Sequence, residues 1–439
     1  MITSGQKRFT VLLMACLVGG LAGFGLPTAG TAALQAAEPD AAANADGDWF
    51  QFLGPDRNGN SRESGLMKAW PTGGPKRVWQ VAGGIGMSGM VISQGKLYTL
   101  VQRDGKQWAV ALETATGKVQ WQTAVATAFK NQMGDGPRAT PAVSQGHLYV
   151  FTGEGILAAL STRDGSLAWS QDTVKQHRGK IADYGMASSP LLVGDLVVVT
   201  VGAPTATVAA YDRKSGKLAW TVGTTGTAGY SSAALLPLGG QQQVVVFAGK
   251  AALGIAPKTG KQLWSYPYVT DYDCNIATPL AYEGDLFLSA GENHGSVMLS
   301  VKPTSAGFQV AEKWESQGAA SVIRNEWQTS ILLNGYLYGF DNVGSAGPVT
   351  HLTCVEAATG KRMWREIRFG KGNLLAADGK LFIVTMKGEL VVVQATPTQY
   401  KELGRSVVMD RTRQAPALSQ GHLFLRDDKN IICLDVRQR

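Results

Sequence analysis

The sequence predicts an all-β fold: an eight-bladed β-propeller of four-stranded antiparallel blades with Trp-docking motifs. Three observations predict it. A segment ending in Trp recurs as "ALETATGKVQW" (111–121), "ALSTRDGSLAW" (159–169), "AYDRKSGKLAW" (210–220), "GIAPKTGKQLW" (254–264) and "CVEAATGKRMW" (354–364). A second motif, a Gly followed by a short apolar run, marks the same period from "SQGKLY" (93–98) to "SQGHLF" (419–424). Including the weaker copy "LGGQQQVVVF" (238–247), it occurs eight times. The two ends of this array are also complementary. "NIICLDVRQR" stops one strand short of a full blade, and "PKRVWQV" (75–81) is a fourth strand with no blade before it.

The chain opens with a leader. Lys7 and Arg8 precede an apolar run from Phe9 to Leu26 and an Ala-rich stretch, which together read as a signal peptide over 1–37 and an exported protein of the periplasm, cell surface or medium. An uncleaved anchor and lipidation at Cys16 are the alternatives. Residues 38–74 form an N-terminal arm, and 75–439 form the propeller. The array is long for one compact core, but repeats that pack on their neighbours escape that limit. The formal charge is +8, with basic residues scattered singly, so a nucleic-acid patch is not expected.

Each blade parses from the inside outwards. An inner strand such as "ATPAVS" turns at a polar-Gly pair into "HLYVFTG". A third strand, "ILAALS", turns at "RDG" into a fourth that ends in Trp. The Gly supplies a left-handed residue, and the preceding Asp or Glu accepts hydrogen bonds from the turn. Trp79, Trp121, Trp169, Trp220, Trp264, Trp314 and Trp364 lie 42 to 51 residues apart, the spacing of propeller blades. They are expected to be structural, each covering a small residue from a neighbouring unit. Cys354 and Cys433 stand where other repeats carry Ala, so they read as small buried hydrophobes.

The pattern A-x-[DE]-x-x-[TS]-G-x-x-x-W, carried by Ala111, Glu113, Thr116, Gly117 and Trp121 and by Ala210, Asp212, Ser215, Gly216 and Trp220, resembles the docking repeat of the pyrroloquinoline quinone (PQQ) propeller superfamily. That superfamily includes quinoprotein alcohol and glucose dehydrogenases and a non-enzymatic subunit (BamB) of the outer-membrane assembly machine. The segment 48–79 further resembles the start of exported PQQ-like propellers. For an enzyme, the resemblance implies a vicinal Cys–Cys disulfide, a Ca²⁺ held by Glu, Asn and Asp, an Asp base and a Trp floor. This chain has no adjacent cysteines, and only Glu326, Asn275 and Asp273 come forward as oxygen ligands for a hard cation.

No HExxH, GxSxG or P-loop is present, and the five histidines are spread along the chain. Function is therefore expected on loops. Turns within blades are short and uniform on one face, whereas the links between blades are long and dissimilar on the other. Each link ends at an inner strand, so Arg138, Tyr184, Tyr230, Asp273, Asn275, Glu326, Trp327 and Arg413 are expected to ring the mouth of the central channel as ligand- or partner-binding residues. No catalytic or metal-binding residue is assigned. The expectation is a monomeric, non-catalytic scaffold for a protein or envelope component, with no cofactor. The alternatives are a PQQ- and Ca-dependent oxidoreductase and a polysaccharide- or small-ligand-binding module.

Overall fold

A computed structural model describes residues 47–438, apart from 70, 72, 225 and 345–348. The expected signal peptide and Cys16 lie outside the described residues. Within them stand eight four-stranded antiparallel sheets. We number the blades along the chain: 1 (90–127), 2 (142–172), 3 (191–222), 4 (234–267), 5 (280–317), 6 (331–366), 7 (372–407) and 8, which combines 417–435 with the strand Lys76–Ala82. That strand runs antiparallel to Asn430–Asp435, with Trp79 opposite Cys433. The ring is therefore closed by pairing the two ends of the array, which gives the eighth blade its fourth strand.

The repeat can now be read physically. The small residue of each motif stands directly across the strand pair from its Trp: Ala111 from Trp121, Ala159 from Trp169, Ala210 from Trp220 and Cys354 from Trp364. The aromatic residue of the second motif packs against the same ring. Tyr98 lies 5.9 Å from Trp121, and Tyr149 lies 6.2 Å from Trp169. The two sequence motifs thus meet inside one blade. The indole N–H then reaches into the next blade. Trp79 donates to Thr114 O (2.7 Å), Trp121 to Thr162 O (3.1 Å), Trp169 to Arg213 O (2.8 Å), Trp220 to Pro257 O (3.0 Å), Trp314 to Ala357 O (2.8 Å) and Trp364 to Thr396 O (2.7 Å).

The turn Gly has two tasks. Gly117 has a φ of +74°, and a Cβ there would sit 2.8 Å from the Trp79 ring. The same residue that permits the left-handed turn is the seat of the neighbouring indole. The motif's acid holds the turn as expected: the Asp212 carboxylate accepts from the Ser215 N–H (2.8 Å) and hydroxyl (2.6 Å).

Trp264 departs from the series. Its N–H donates to Gln243 Oε1 in its own blade (2.6 Å). Blade 5 continues its third and fourth strands as one long hairpin, Gly295–Thr304 with Gly307–Gln317, so it has no Thr-Gly turn to receive the ring. In blade 7 the position opposite Val392 is Gly404, and no Trp is present there.

The arm is part of the ring. Trp49 forms an antiparallel bridge with Ile92, Asn60 a parallel bridge with Ala376, and Leu66 an antiparallel bridge with Arg437. Between them Arg57 enters the axis. Its guanidinium is buried and donates to Ala233 O (2.7 Å), Pro190 O (3.1 Å) and Ser189 O (2.5 Å), just ahead of the inner strands of blades 3 and 4. Burial pulls its pKa down to about 9, so it stays a cation at neutral pH. The arm therefore stoppers the channel from the side of the uniform turns, a role its sequence did not signal.

Candidate functional site at the channel mouth

The opposite face opens into a cavity of about 1030 Å³. Its walls are the links between blades, the starts of the inner strands and the second-to-third strand turns of blades 5 to 7, and Phe52 of the arm is among its lining residues. Phe52 lies against Arg57, whose guanidinium carbon is 6.0 Å from the ring centre. Six of the eight residues proposed from sequence line this cavity: Arg138, Tyr184, Tyr230, Glu326, Trp327 and Arg413.

These six differ in what they offer. Arg138 is buried and fully engaged. It donates to Tyr184 O (2.6 Å), Gly134 O (2.6 Å) and Gly136 O, and it stacks 4.6 Å from the Phe129 ring. Burial lowers its pKa to about 10. It braces two neighbouring links and has little left for a ligand. Tyr184 and Tyr230 form an aromatic pair with centroids 5.5 Å apart, and the Tyr230 hydroxyl accepts from the Tyr184 N–H (3.3 Å). Trp327 is half-buried at the wall, with its backbone N–H held by Gln328 Oε1 (3.1 Å). Glu326 lies 2.5 Å from Lys371 Nζ. Burial raises the Glu326 pKa, and the lysine partly opposes that shift. Arg413 is half-buried and gives one N–H to Met133 O (2.9 Å).

Asp273 and Asn275 are not among the lining residues. Asp273 accepts from the Thr227 hydroxyl (2.8 Å). Asn275 is sealed in the wall. Its amide donates to Ala248 O (2.7 Å) and Tyr268 O (3.1 Å), and its carbonyl accepts from the Thr270 hydroxyl (3.1 Å). With Glu326 tied to a lysine and Asn275 spent on backbone, the three oxygen donors do not assemble a cation site. Among the described residues no group of three or more His, Cys, Asp or Glu side chains is placed to hold a metal. The described cysteines, Cys274, Cys354 and Cys433, are all free and buried, so the disulfide expected beside a quinone has no counterpart here. Cys274 lines the cavity, but burial pushes its thiol up to about 12, which leaves it protonated and a poor nucleophile. The residues present thus do not fit the PQQ–calcium arrangement.

Sequence reasoning missed Phe52, Tyr272, Arg368, Lys371, Lys387 and Arg411, all of which line the cavity. Arg411 and Tyr272 fall within link segments visible in the sequence. Phe52 lies in the arm, and nothing local says that it reaches the axis.

A family model described as "Outer membrane protein assembly factor BamB" matches residues 71–178 and 105–366. The chain belongs to this family of PQQ-like propellers. A curated relative, outer membrane protein assembly factor BamB of Yersinia pestis, is 26% identical over 195 residues, which cover 40% of this chain and 44% of that protein. The match therefore spans less than half of the relative. Among solved structures, quinohemoprotein alcohol dehydrogenase from Comamonas testosteroni superposes with a TM-score of 0.66 at 14% identity, covering 90% of this chain and 82% of that one. BamB from Moraxella catarrhalis superposes with a TM-score of 0.57 at 14% identity, covering 83% and 98%. At such identities these likenesses concern the fold alone.

Proposed function

We propose that this protein is an exported, non-catalytic propeller that holds a protein or another envelope component on its link face. The observation that carries this reading is the difference in lining between the two ends of the channel: the arm, with Arg57 bonded to Ser189 O, lines a cavity of about 1000 Å³ at one end, whereas the variable links and an aromatic pair line one of about 1030 Å³ at the other. A rigid ring presenting variable loops at one open mouth is suited to recognition. The engagement of Arg138, Asn275 and Glu326 in internal bonds supports a scaffold over a redox site. Membership of the BamB family, and the Yersinia pestis relative's description as an assembly factor, support a protein partner in the envelope. The leader supports export. Among the described residues no helix is long and apolar enough to cross a membrane.

A photo-crosslinking amino acid at position 272, on the mouth, and at 167, on the outer rim, tests the face. Crosslinking in cells to a single discrete partner from 272 and none from 167 is expected. Equal yields, or yield from 167 alone, would remove the assignment. The oxidoreductase alternative is tested by adding PQQ and Ca²⁺ and following dye reduction with alcohols and sugars. Retained quinone with turnover would overturn the scaffold reading.

A further inference from the structure

The charges around the cavity are segregated. Six cations and three carboxylates line it. Of the carboxylates, Glu326 is paired with Lys371, Glu389 lies 3.2 Å from Arg405, which is not a lining residue, and Glu292 stands in a turn of blade 5, on the side of Glu326. Arg138 is spent on backbone carbonyls. Among the described residues no salt bridge holds Arg368, Lys387, Arg411 or Arg413. These four are neighbours in the ring. Arg368 belongs to the link between blades 6 and 7, Lys387 to a turn of blade 7, and Arg411 and Arg413 to the link between blades 7 and 8. Burial and the nearby Arg411 charge lower the Arg413 pKa, against a partial opposing pull from Asp428 and Glu326.

The aromatic pair stands across the axis. Tyr184 and Tyr230 enter blades 3 and 4, and in a ring of eight, blades 7 and 8 face blades 3 and 4. Outside this wall the links expose apolar side chains that a folded chain ordinarily hides: Met133, Ile181, Val269, Tyr272 and Ile367. The mouth thus combines a cationic arc, a facing aromatic wall and an apolar rim.

We propose that the mouth binds an extended acidic segment of a partner polypeptide, its carboxylates against Arg368, Lys387, Arg411 and Arg413 and an apolar side chain against Tyr184 and Tyr230. This deepens the scaffold reading and rests on it. The cationic arc selects the charge of the occupant by complementarity. The apolar rim favours a polypeptide over a phosphate polymer, which has no apolar side chain to place there.

The test is fluorescence anisotropy with a short fluorescein-labelled peptide of Glu and Asp residues bearing one central Phe, against the same peptide with Gln and Asn in place of the acids. The acidic peptide is expected to bind about tenfold tighter or better, and to weaken as salt rises. The double variant Arg411→Glu with Arg413→Glu should lose about tenfold or more, whereas Lys401→Glu, in a turn on the other face, should bind like the parent. Equal affinity for both peptides, or affinity independent of salt in the unmutated protein, would overturn the proposal whether or not the double variant folds. So would tighter binding of inorganic polyphosphate than of the acidic peptide. Crosslinking from position 272 that persists in the double variant, with no preference for the acidic peptide, would refute this inference and leave the scaffold reading standing. Loss of both would refute the two together.

Discussion

The two faces of the ring are built on opposite terms. On the turn face, six indoles each bridge to the next blade, and the arm's Arg57 closes the axis through three backbone carbonyls. On the link face, the side chains at the mouth differ from one link to the next, and Tyr272 is 68% exposed. The difference shows where repetition is required. A blade that receives its neighbour's indole must present the same turn, because six of the seven docking indoles use the same seat; blade 5, which has no such turn, receives none. A link needs only to span the gap, so its side chains are free to serve the mouth.

Breaking an indole contact should cost the most. Trp169→Ala is expected to lower stability by about 4 kcal/mol, read as a shift in the urea midpoint at unchanged slope. Trp264, bonded within its own blade, sharpens the point. Its replacement by Ala should lose the burial term but leave no carbonyl of the next blade without its donor. A cost for Trp264→Ala above that for Trp169→Ala would show that docking across blades is not what the repeat supplies.

Arg57→Ala comes next. It strips Ser189 O, Pro190 O and Ala233 O of a charged donor, with an expected loss of about 3 kcal/mol. Limited proteolysis should then cut within 47–74 sooner than in the parent. An arm that stays resistant would mean that the bridges at Trp49 and Leu66 hold it without the arginine.

The ring seam should respond to acid. The Arg437 guanidinium bonds the Asp435 carboxylate and holds its pKa at about 2, below the ordinary carboxylate range. A depressed folded pKa contributes stability that is present above the unfolded value and lost as pH falls through the folded one. Stability should therefore drop by about 1 kcal/mol between about pH 4 and pH 2 on this account, and Asp435→Asn should remove that part of the decline. Denaturation of the two proteins across that range checks it.

The smallest effect belongs to the link face. Tyr272→Ala should change stability by no more than about 0.5 kcal/mol, because its ring is mostly in water. A loss comparable to Trp169→Ala would break the division between the faces.

Much of this architecture is legible in the residues. The Trp spacing and the Gly-x-Leu-aromatic motif mark each blade, and Cys354 and Cys433 do stand where Ala does, each facing a Trp across the strand pair. The site is legible only by position. The links were found, and six of eight named residues do line the mouth, but sequence position does not say which side chain is already engaged. Asn275 reads as a candidate ligand until its three hydrogen bonds inside the wall are seen. Arg138 looks like a free cation until its carbonyl partners appear.

The sequence by itself determined the blade count, the strand order and the closure of the ring, because each depends on contacts between adjacent units and recurs with the repeat. The tertiary structure alone decided that Phe52 and Arg57 reach the axis and that four cations face an aromatic pair across the mouth. Those juxtapositions join residues from distant blades, and their meeting depends on the curvature of the whole ring, which no local pattern encodes.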